Sequence, residues 1–492
     1  MCMKNQISLQ TDSRQVQKGD IFVALPPASP GEPDQSPEHI RMAFNAGASV
    51  IVASAHVQDL LDEDLIKAPG AAFVFSDDVR MTLGDLAARV YGTQHLDFPV
   101  IGITGTNGKT TCAYLLEHLY LSKGLKAGIL GTIAYRWPGH SEPSSLTTPG
   151  CLKLHQCLHA MKQAGTDAVI MEVSSHAADQ KRIAGIPFSV AAFTNLTQDH
   201  LDYHKTFDDY FQAKRSLFTF FPKEDKRWVV NADDPYGLRL LDENPDAFAF
   251  GLRTLLPGHE CLHAKVLKSD TSGLDIFFRW LKTSGAETTW RFQSPLIGLH
   301  NASNLLLTSA IALSLGFSPD DLQCLSSFMG VCGRLERIPA GIDGTECGVF
   351  VDYAHTPDAL YRVLNTLRQS QFRRIITVFG CGGDRDKTKR PLMGKAVAEL
   401  SDIAIVTSDN PRTENPERIL DDIMPGLSSM KNIFREADRR NALEIAVSLL
   451  RPGDALLVAG KGHEDYQIIG HEKHHFSDQE ILKELLAHAH IS

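Results

Sequence analysis

An apolar run that breaks into glycine constrains this chain most. Residues 98–104, FPVIGIT, read as a strand, and Gly105-Thr106-Asn107-Gly108-Lys109-Thr110-Thr111 follow before a helix opens at Thr110. Glycines let backbone N–H groups curl around phosphate oxygens, and the start of the helix adds a favourable dipole. In such a loop Lys109 reaches the terminal phosphates of a nucleotide, and the Thr110 hydroxyl can ligate Mg²⁺. The strict G-x-x-x-x-G-K-[ST] pattern is not met, because Ile103 stands five residues before Gly108. The strand–turn–helix context still predicts a nucleoside triphosphate site. It does not name a reaction, since phosphate loops serve many chemistries.

A strand feeding a helix through such a loop implies a parallel α/β sheet, and the rest of the chain agrees. Further short apolar runs at 168–172, 190–194 and 228–231 alternate with helical stretches, which predicts a doubly wound sheet. Residues 259–295 read as a hairpin-rich insert, and Leu305 to Phe317 as a buried helix. A second alternating series starts near 330, with strands at 348–353, 375–380, 403–407 and 455–460 and helices at 361–369 and 441–450. Before the loop, strands at 20–25 and 48–53 and helices at 41–47 and 81–91 flank a Pro-rich stretch, residues 26–37. The length, 492 residues, suits about three domains at roughly 150 residues each. The expected boundaries are 1–96, 97–329 and 330–492. The expected fold class is α/β: a small α/β N-terminal domain, a central phosphate-loop domain on a doubly wound parallel sheet, and a C-terminal Rossmann-like domain.

Composition removes several function classes. Lys+Arg 49 against Asp+Glu 59 gives a net charge of −10, so a basic nucleic-acid surface is not expected. No apolar run approaches the ~18 residues a membrane span needs, and the first residues, MCMKNQISLQTDSR, contain no apolar signal region. Nine scattered cysteines without a C-x-x-C pair fit a reducing cytoplasm and no zinc ribbon.

Eleven further segments extend the pattern of the loop at 105–111: TTPG at 147–150, MEVSSHAADQKR at 171–182, FTNLTQDHLDYH at 193–204, YFQAKRSLF at 210–218, NADDP at 231–235, GLHNASN at 298–304, GRLER at 333–337, VDYAHTPDAL at 351–360, GCGGDRDKTKRPLMG at 380–394, SDNPRT at 408–413 and GKGHEDYQ at 460–467. In this order they resemble the Mur ligase family, which builds the peptide stem of bacterial peptidoglycan. The resemblance implies an ATP-dependent ligase that adds meso-2,6-diaminopimelate to UDP-N-acetylmuramoyl-L-alanyl-D-glutamate through an acyl phosphate, with Mg²⁺ as cofactor. It implies a cytoplasmic monomer whose partners are these small molecules, with neither nucleic acid nor membrane insertion.

The resemblance also assigns residues. Gly105, Thr106, Asn107, Gly108, Lys109, Thr110, Thr111, Asn301, Asn304, Arg334 and Asp352 would contact ATP, the last two from the C-terminal domain on closure. Thr110 and Glu172 would hold one Mg²⁺, and His200 and Lys214 a second. An ammonium cannot ligate a metal, so Lys214 would be carbamylated to N6-carboxylysine, which presents a hard oxygen anion. Lys109, His200 and Lys214 would be catalytic. His200 and His204 stand four apart as a zinc pair would, but their neighbours are carboxylates and hydroxyls, which favour Mg²⁺. Thr11, Ser13, Thr147, Thr148, Ser174, Gln180 and Arg182 would hold the UDP-muramoyl dipeptide. Arg385, Asp409, Asn410, Pro411, Arg412, Gly460 and Glu464 would hold diaminopimelate.

Each assignment has a plainer alternative. Asn301 could be only a helix cap, and Arg412 could pair with Glu414 or Glu417 on the surface. Arg412 nevertheless suits the carboxylate that distinguishes diaminopimelate from lysine, and lysine-adding relatives usually lack it. Competing functions are the same ligase using L-lysine, a folylpolyglutamate-type ligase, and a non-catalytic module that would have lost Lys109, Glu172, His200 or Lys214. The first domain departs most from the family: the stretch G-x-x-x-D-G-H is missing, and Ala28–Pro30 stand where relatives touch UDP. Cys332 replaces a proline common before the GRLER run.

Overall fold

The computed structural model describes residues 8–27, 33–197, 203–219, 227–256, 258–339 and 347–488. The chain divides into two compact units: residues 1–262, 281–285 and 307–321 form one, and residues 263–280, 286–306 and 322–492 the other.

The first unit contains two sheets. A four-stranded sheet runs Leu9–Gln10, Ile21–Val23, Val50–Ser54, Ala72–Ser76, with every pair parallel. The larger sheet runs Phe248–Gly251, Arg227–Asn231, Val190–Phe193, Val100–Thr104, Ala168–Glu172, Ala127–Leu130. These pairs are also parallel. Val100–Thr104 and Ala168–Glu172 are buried at every position, as strands covered on both faces must be. The chain leaves Val100–Thr104 for a strand on one side and later crosses to the other. The end of that strand is therefore a topological switch point, where open α/β sheets bind ligands. Gly105 begins there.

The small sheet is fastened to the larger one by helix Val79–Val90. Gly84 on that helix sits where a Cβ would overlap the Ala184 backbone, so only glycine permits the approach. Buried His155 joins Thr93 Oγ1 at 2.6 Å to the Ala184 carbonyl at 3.0 Å. Burial holds the pKa of this imidazole below its ordinary value.

The second unit is built on Glu336–Ile338, Gly348–Asp352, Ala455–Ala459, Ile375–Phe379, Ile403–Val406, Ile433–Arg435 in that spatial order. All pairs are parallel except the first. Apolar layers cover both faces, one around Phe350, Leu364, Met393 and Leu420, the other around Val351, Leu443, Leu456 and Leu482. The final helix, Asp478–His488, is tied in by a wholly buried ion pair. Arg439 Nε and Nη2 donate to the Asp478 carboxylate at 2.8 and 2.7 Å, and both side chains are 0% exposed.

Most expected elements form, with corrections at their edges. The larger sheet is not wholly parallel, because Ala134–Trp137 and His140–Pro143 add antiparallel edge strands after Ala127–Leu130. A parallel run needs a crossover between strands, and the chain there turns back within a few residues. The helix expected at 41–47 begins earlier, at Ser36, inside the Pro-rich stretch. Pro37 occupies its first turn, where the missing N–H costs nothing and the fixed φ suits the helix. Strand Ala72–Ser76 was not anticipated, although Ala71 to Phe75 form an apolar run; it is an edge strand whose positions are half-exposed or exposed. The insert forms three strands, Cys261–Asp270, Gly273–Leu281 and Glu287–Ser294. No helix among the described residues is long and apolar enough to cross a membrane.

Two stability measurements test this packing. Asp478→Ala leaves Arg439 buried without its carboxylate and should cost about 3–5 kcal/mol in urea unfolding, whereas replacing both partners with apolar residues of similar volume should recover most of it. Glu414 accepts two hydrogen bonds from buried Arg390, which hold its pKa at about 2, below the ordinary 4.5. Its depressed pKa gives stability that is full above pH 4.5 and lost as pH falls toward 2. Glu414→Gln should therefore flatten the acid-unfolding profile in that window and leave the slope near neutrality unchanged.

Candidate active site

At the switch point of the first unit the loop takes the predicted shape. Gly105 and Gly108 lie in the left-handed region, at φ 141° and 89°, and Gly108 precedes helix Lys109–Ser122. A Cβ at Gly105 would overlap Thr194 Oγ1, so glycine is required there for space as well as conformation. The loop is braced from the next strand end. Thr106 N donates to the Asn195 carbonyl at 2.8 Å, and Asn107 N to Asn195 Oδ1 at 3.0 Å. Lys109 Nζ folds back onto the Gly105 and Thr106 carbonyls at 2.8 and 2.9 Å, which holds an ammonium over the loop mouth.

Glu172 is the hub beside this loop. It ends its strand 0% exposed. Its carboxylate accepts from Thr110 Oγ1 at 2.8 Å, Thr132 Oγ1 at 3.0 Å and Thr132 N at 2.9 Å. A Cβ at Gly131 would overlap Glu172 Oε1, so the carboxylate fills the space that this glycine leaves. Two hydroxyls and a carboxylate meeting at one point form a hard-oxygen donor set, which fits Mg²⁺ and not a soft metal. Lys214 approaches from helix Phe207–Thr219; it is 1% exposed, donates to the Gly105 carbonyl at 2.9 Å and lies 4.4 Å from the Tyr210 ring centroid. His200 lies outside the described residues. His204 packs with Tyr210, Tyr203 and His176 in an aromatic cluster.

The residues assigned to the dipeptide substrate continue from Glu172. Thr147 Oγ1 lies 3.2 Å from Thr132 Oγ1. Thr148 Oγ1 donates to the Glu172 carbonyl at 2.8 Å and accepts from Ser174 N at 3.0 Å. Ser174 caps helix Ser175–Asp179, and Gln180 Oε1 accepts from Arg182 Nε and Nη2 at 2.9 and 2.6 Å. Burial lowers the Arg182 pKa, and Arg80 nearby adds to that. Arg80 was not anticipated. It donates to the Pro26 and Pro27 carbonyls, both at 2.9 Å, and to the Gln180 carbonyl at 3.4 Å, so it ties the Pro-rich stretch to this segment. Ser13 is buried with its hydroxyl toward Met42 Sδ, and Thr11 is half-buried. Ala28–Pro30 fall outside the described residues.

The second unit gathers its assigned residues at the carboxyl ends of parallel strands. Asp352 is buried, and its carboxylate accepts from Leu335 N at 2.6 Å and Ala354 N at 2.7 Å. Burial raises its pKa, opposed by Arg334 and these N–H groups. The Arg334 guanidinium carbon lies 5.2 Å from the Tyr353 ring centroid. Asn301 is not a cap. It lies within helix Leu299–Ser314, donates to the Ile297 carbonyl at 2.9 Å and accepts from Asn304 Nδ2 at 3.1 Å. The helix begins two residues before it, so its side chain reaches back over the helix start.

Asp409, Asn410, Pro411 and Arg412 follow strand Ile403–Val406, and Gly460 and Glu464 follow Ala455–Ala459. A Cβ at Gly460 would overlap Asp409 Oδ2, which brings the two strand ends into contact. Asn410 Nδ2 donates to Glu464 Oε2 at 2.9 Å. Arg412 has φ 50° and donates from Nη1 to the Gly383 carbonyl at 2.8 Å. Its surface alternatives are occupied: Glu414 is held by Arg390 and Lys387, and Glu417 by Arg435. Arg385 is exposed on the neighbouring loop. Lys461, also unanticipated, lies buried beneath Asn410; a lysine directly after an apolar strand was the available signal.

Comparison with known proteins bears on the family of the chain. The Mur ligase middle domain matches residues 103–312, and the Mur ligase glutamate ligase domain matches residues 333–462. A UDP-N-acetylmuramoyl-L-alanyl-D-glutamate–2,6-diaminopimelate ligase of Lawsonia intracellularis (strain PHE/MN1-00) is 49% identical over 98% of this chain and 96% of its own. A protein of the same name from Synechococcus elongatus is 43% identical over 97% of this chain and 93% of its own. A solved structure of a ligase of that name superposes with a TM-score of 0.70 at 31% identity, covering 98% of this chain and 94% of that one. Matching domains in sequence order and near-full-length identity to these ligases establish that the chain belongs to the Mur ligase family.

Proposed function

We propose that this chain joins meso-2,6-diaminopimelate to UDP-N-acetylmuramoyl-L-alanyl-D-glutamate with cleavage of ATP, a step in making peptidoglycan precursors. A carboxylate is a poor electrophile. Transfer of the terminal phosphoryl group of ATP to it gives an acyl phosphate and ADP; the amine then attacks the acyl carbon, phosphate leaves, and an amide forms. Two anions must meet in the first step, so the site needs fixed positive charge. Lys109, poised over the loop, and the N–H groups at the start of its helix supply it. Thr110 and Glu172 are suited to hold Mg²⁺, and His200 with carbamylated Lys214 a second ion; Mg²⁺ would neutralise charge on the phosphates. Thr147, Thr148, Ser174, Gln180 and Arg182 would orient the dipeptide beside this loop, with Thr11 and Ser13 toward uridine. Asn301, Asn304, Arg334 and Asp352 would add nucleotide contacts. The working boundaries are 1–96 for the UDP-binding domain, 97–329 for the ATP-binding domain and 330–492 for the domain that receives the amino acid. A cytoplasmic monomer is the working form.

The observation that carries the choice of amino acid is Arg412. Among the described residues its guanidinium is not drawn off by Glu414 or Glu417; it donates to the Gly383 carbonyl and stands on the same loop as Asp409 and Asn410, whose amide meets Glu464. Diaminopimelate carries a carboxylate where lysine has hydrogen. A hydrogen bond to a charged group contributes about 1.5–3 kcal/mol, about 10–150-fold in kcat/KM. Lysine would also leave the guanidinium unmatched.

Phosphate release from ATP, measured with the UDP-muramoyl dipeptide and each amino acid, tests both parts. Turnover with diaminopimelate should exceed that with L-lysine by at least tenfold, and Arg412→Ala should remove most of the difference; a wild-type preference for lysine overturns the assignment. Lys214→Ala should lower turnover to background while ATP still binds, with partial rescue by a small carboxylate such as formate. Full activity in that variant excludes Lys214 from the reaction.

A further inference from the structure

Beneath the proposed amino-acid pocket lies a cation that the reaction scheme leaves unused. Lys461 is 0% exposed, although ammonium groups are rarely buried unless paired. Its Nζ donates to Asn410 Oδ1 at 3.1 Å and to the Tyr466 carbonyl, and lies 3.6 Å from Glu464 Oε2. Asn410 Oδ1 accepts a second hydrogen bond, from Ile468 N at 2.9 Å. With its oxygen so occupied, the Asn410 amide has only one orientation, and Nδ2 must face Glu464, as observed at 2.9 Å.

The charges around Lys461 divide unevenly. Asp478 is engaged by Nε and Nη2 of Arg439, so that acid is already matched. Lys461 pairs with Glu464 and feels the charge of Asp409, two acids at neighbouring strand ends that also act on Arg439. Burial pulls its pKa down, while Asp409, Glu464 and Asp478 raise it and Arg439 lowers it.

We infer that Lys461 is a positioning residue for amino-acid recognition: from below the pocket it locks the Asn410 amide and draws Glu464 into place, so that the acid presents a fixed oxygen to the incoming ammonium group. The inference rests on the proposed assignment of Asn410 and Glu464 to the amino acid. A carboxylate on a free side chain must lose rotamer entropy on binding its ligand; one already held by two partners has lost it on folding. The role is confined to one substrate, because the contacts of Lys461 run to the pocket and not to Arg334 or Asp352.

Steady-state kinetics of Lys461→Met and Lys461→Gln, in the full-length enzyme with each substrate varied in turn, tests this. The expected result is a KM for diaminopimelate raised about tenfold or more, with the KM for ATP and for the UDP-muramoyl dipeptide within twofold of wild type. Lys461→Arg should recover part of the loss. Combined with Asn410→Ala, Lys461→Met should add little further, because both act through the same amide. If either folded variant keeps the wild-type KM for diaminopimelate, or if all three KM values rise together, the inference is overturned. Should the wild-type enzyme itself fail to use diaminopimelate, the assignment of the pocket fails instead. Should Lys461→Met not fold, Lys461→Gln, which keeps a donor and loses the charge, carries the test.

Discussion

The carboxylate of Glu172 is the constraint on which the arrangement of the first unit's strand ends depends. It is buried, ends a strand covered on both faces, and is matched by hydroxyls from the helix after the glycine loop and from Thr132 after the next strand. An ionised carboxylate without partners could not remain there. These hydrogen bonds therefore fix the relation between three separate strand ends, and with it the position of the phosphate loop. The sheet supplies the rigidity and the switch point supplies the opening; Glu172 supplies the register between them.

The second unit solves a related problem with more charge. Its strand ends carry Asp352, Asp409 and Glu464, all close to buried cations or backbone N–H groups. Arg439 and Lys461 are placed below these acids, with no exposed surface of their own. Buried ions are costly to bring together and more costly to separate. The arrangement makes little sense as a device for stability alone, and good sense as a way to hold a polar site rigid before its ligand arrives.

The local sequence made several fully buried strands legible, because a strand covered on both faces must be a near-continuous apolar run, but the equally buried Ala127–Leu130 and Phe248–Gly251 were missed. Val100–Thr104, Ala168–Glu172 and Ala455–Ala459 were read to within a residue or two for that reason. The edge strands were not read: His140–Pro143 is largely exposed and carries no such run, whereas Ala72–Ser76 carries one, Ala-Phe-Val-Phe, that was missed. The start of helix Ser36–Asn45 was misplaced because prolines signal a loop and a helix start equally well. For the site, the glycine loop was legible from residue spacing, whereas the roles proposed for Lys214 and Arg412 come only through resemblance. Nothing near either residue in sequence distinguishes it from a surface cation.

The sequence by itself determined the class of fold and the kind of chemistry. Alternating apolar runs and helices dictate layered α/β sheets, and a glycine loop between strand and helix dictates a phosphate site, since both follow from contacts between neighbours in the chain. Tertiary structure alone decided which distant side chains meet. Thr132 on Glu172, Arg80 on the Gln180 carbonyl, Arg390 on Glu414 and Lys461 under Asn410 are pairings across 24 to 100 residues. Each depends on the order in which strands lie in a sheet, and no local pattern of residues encodes that order.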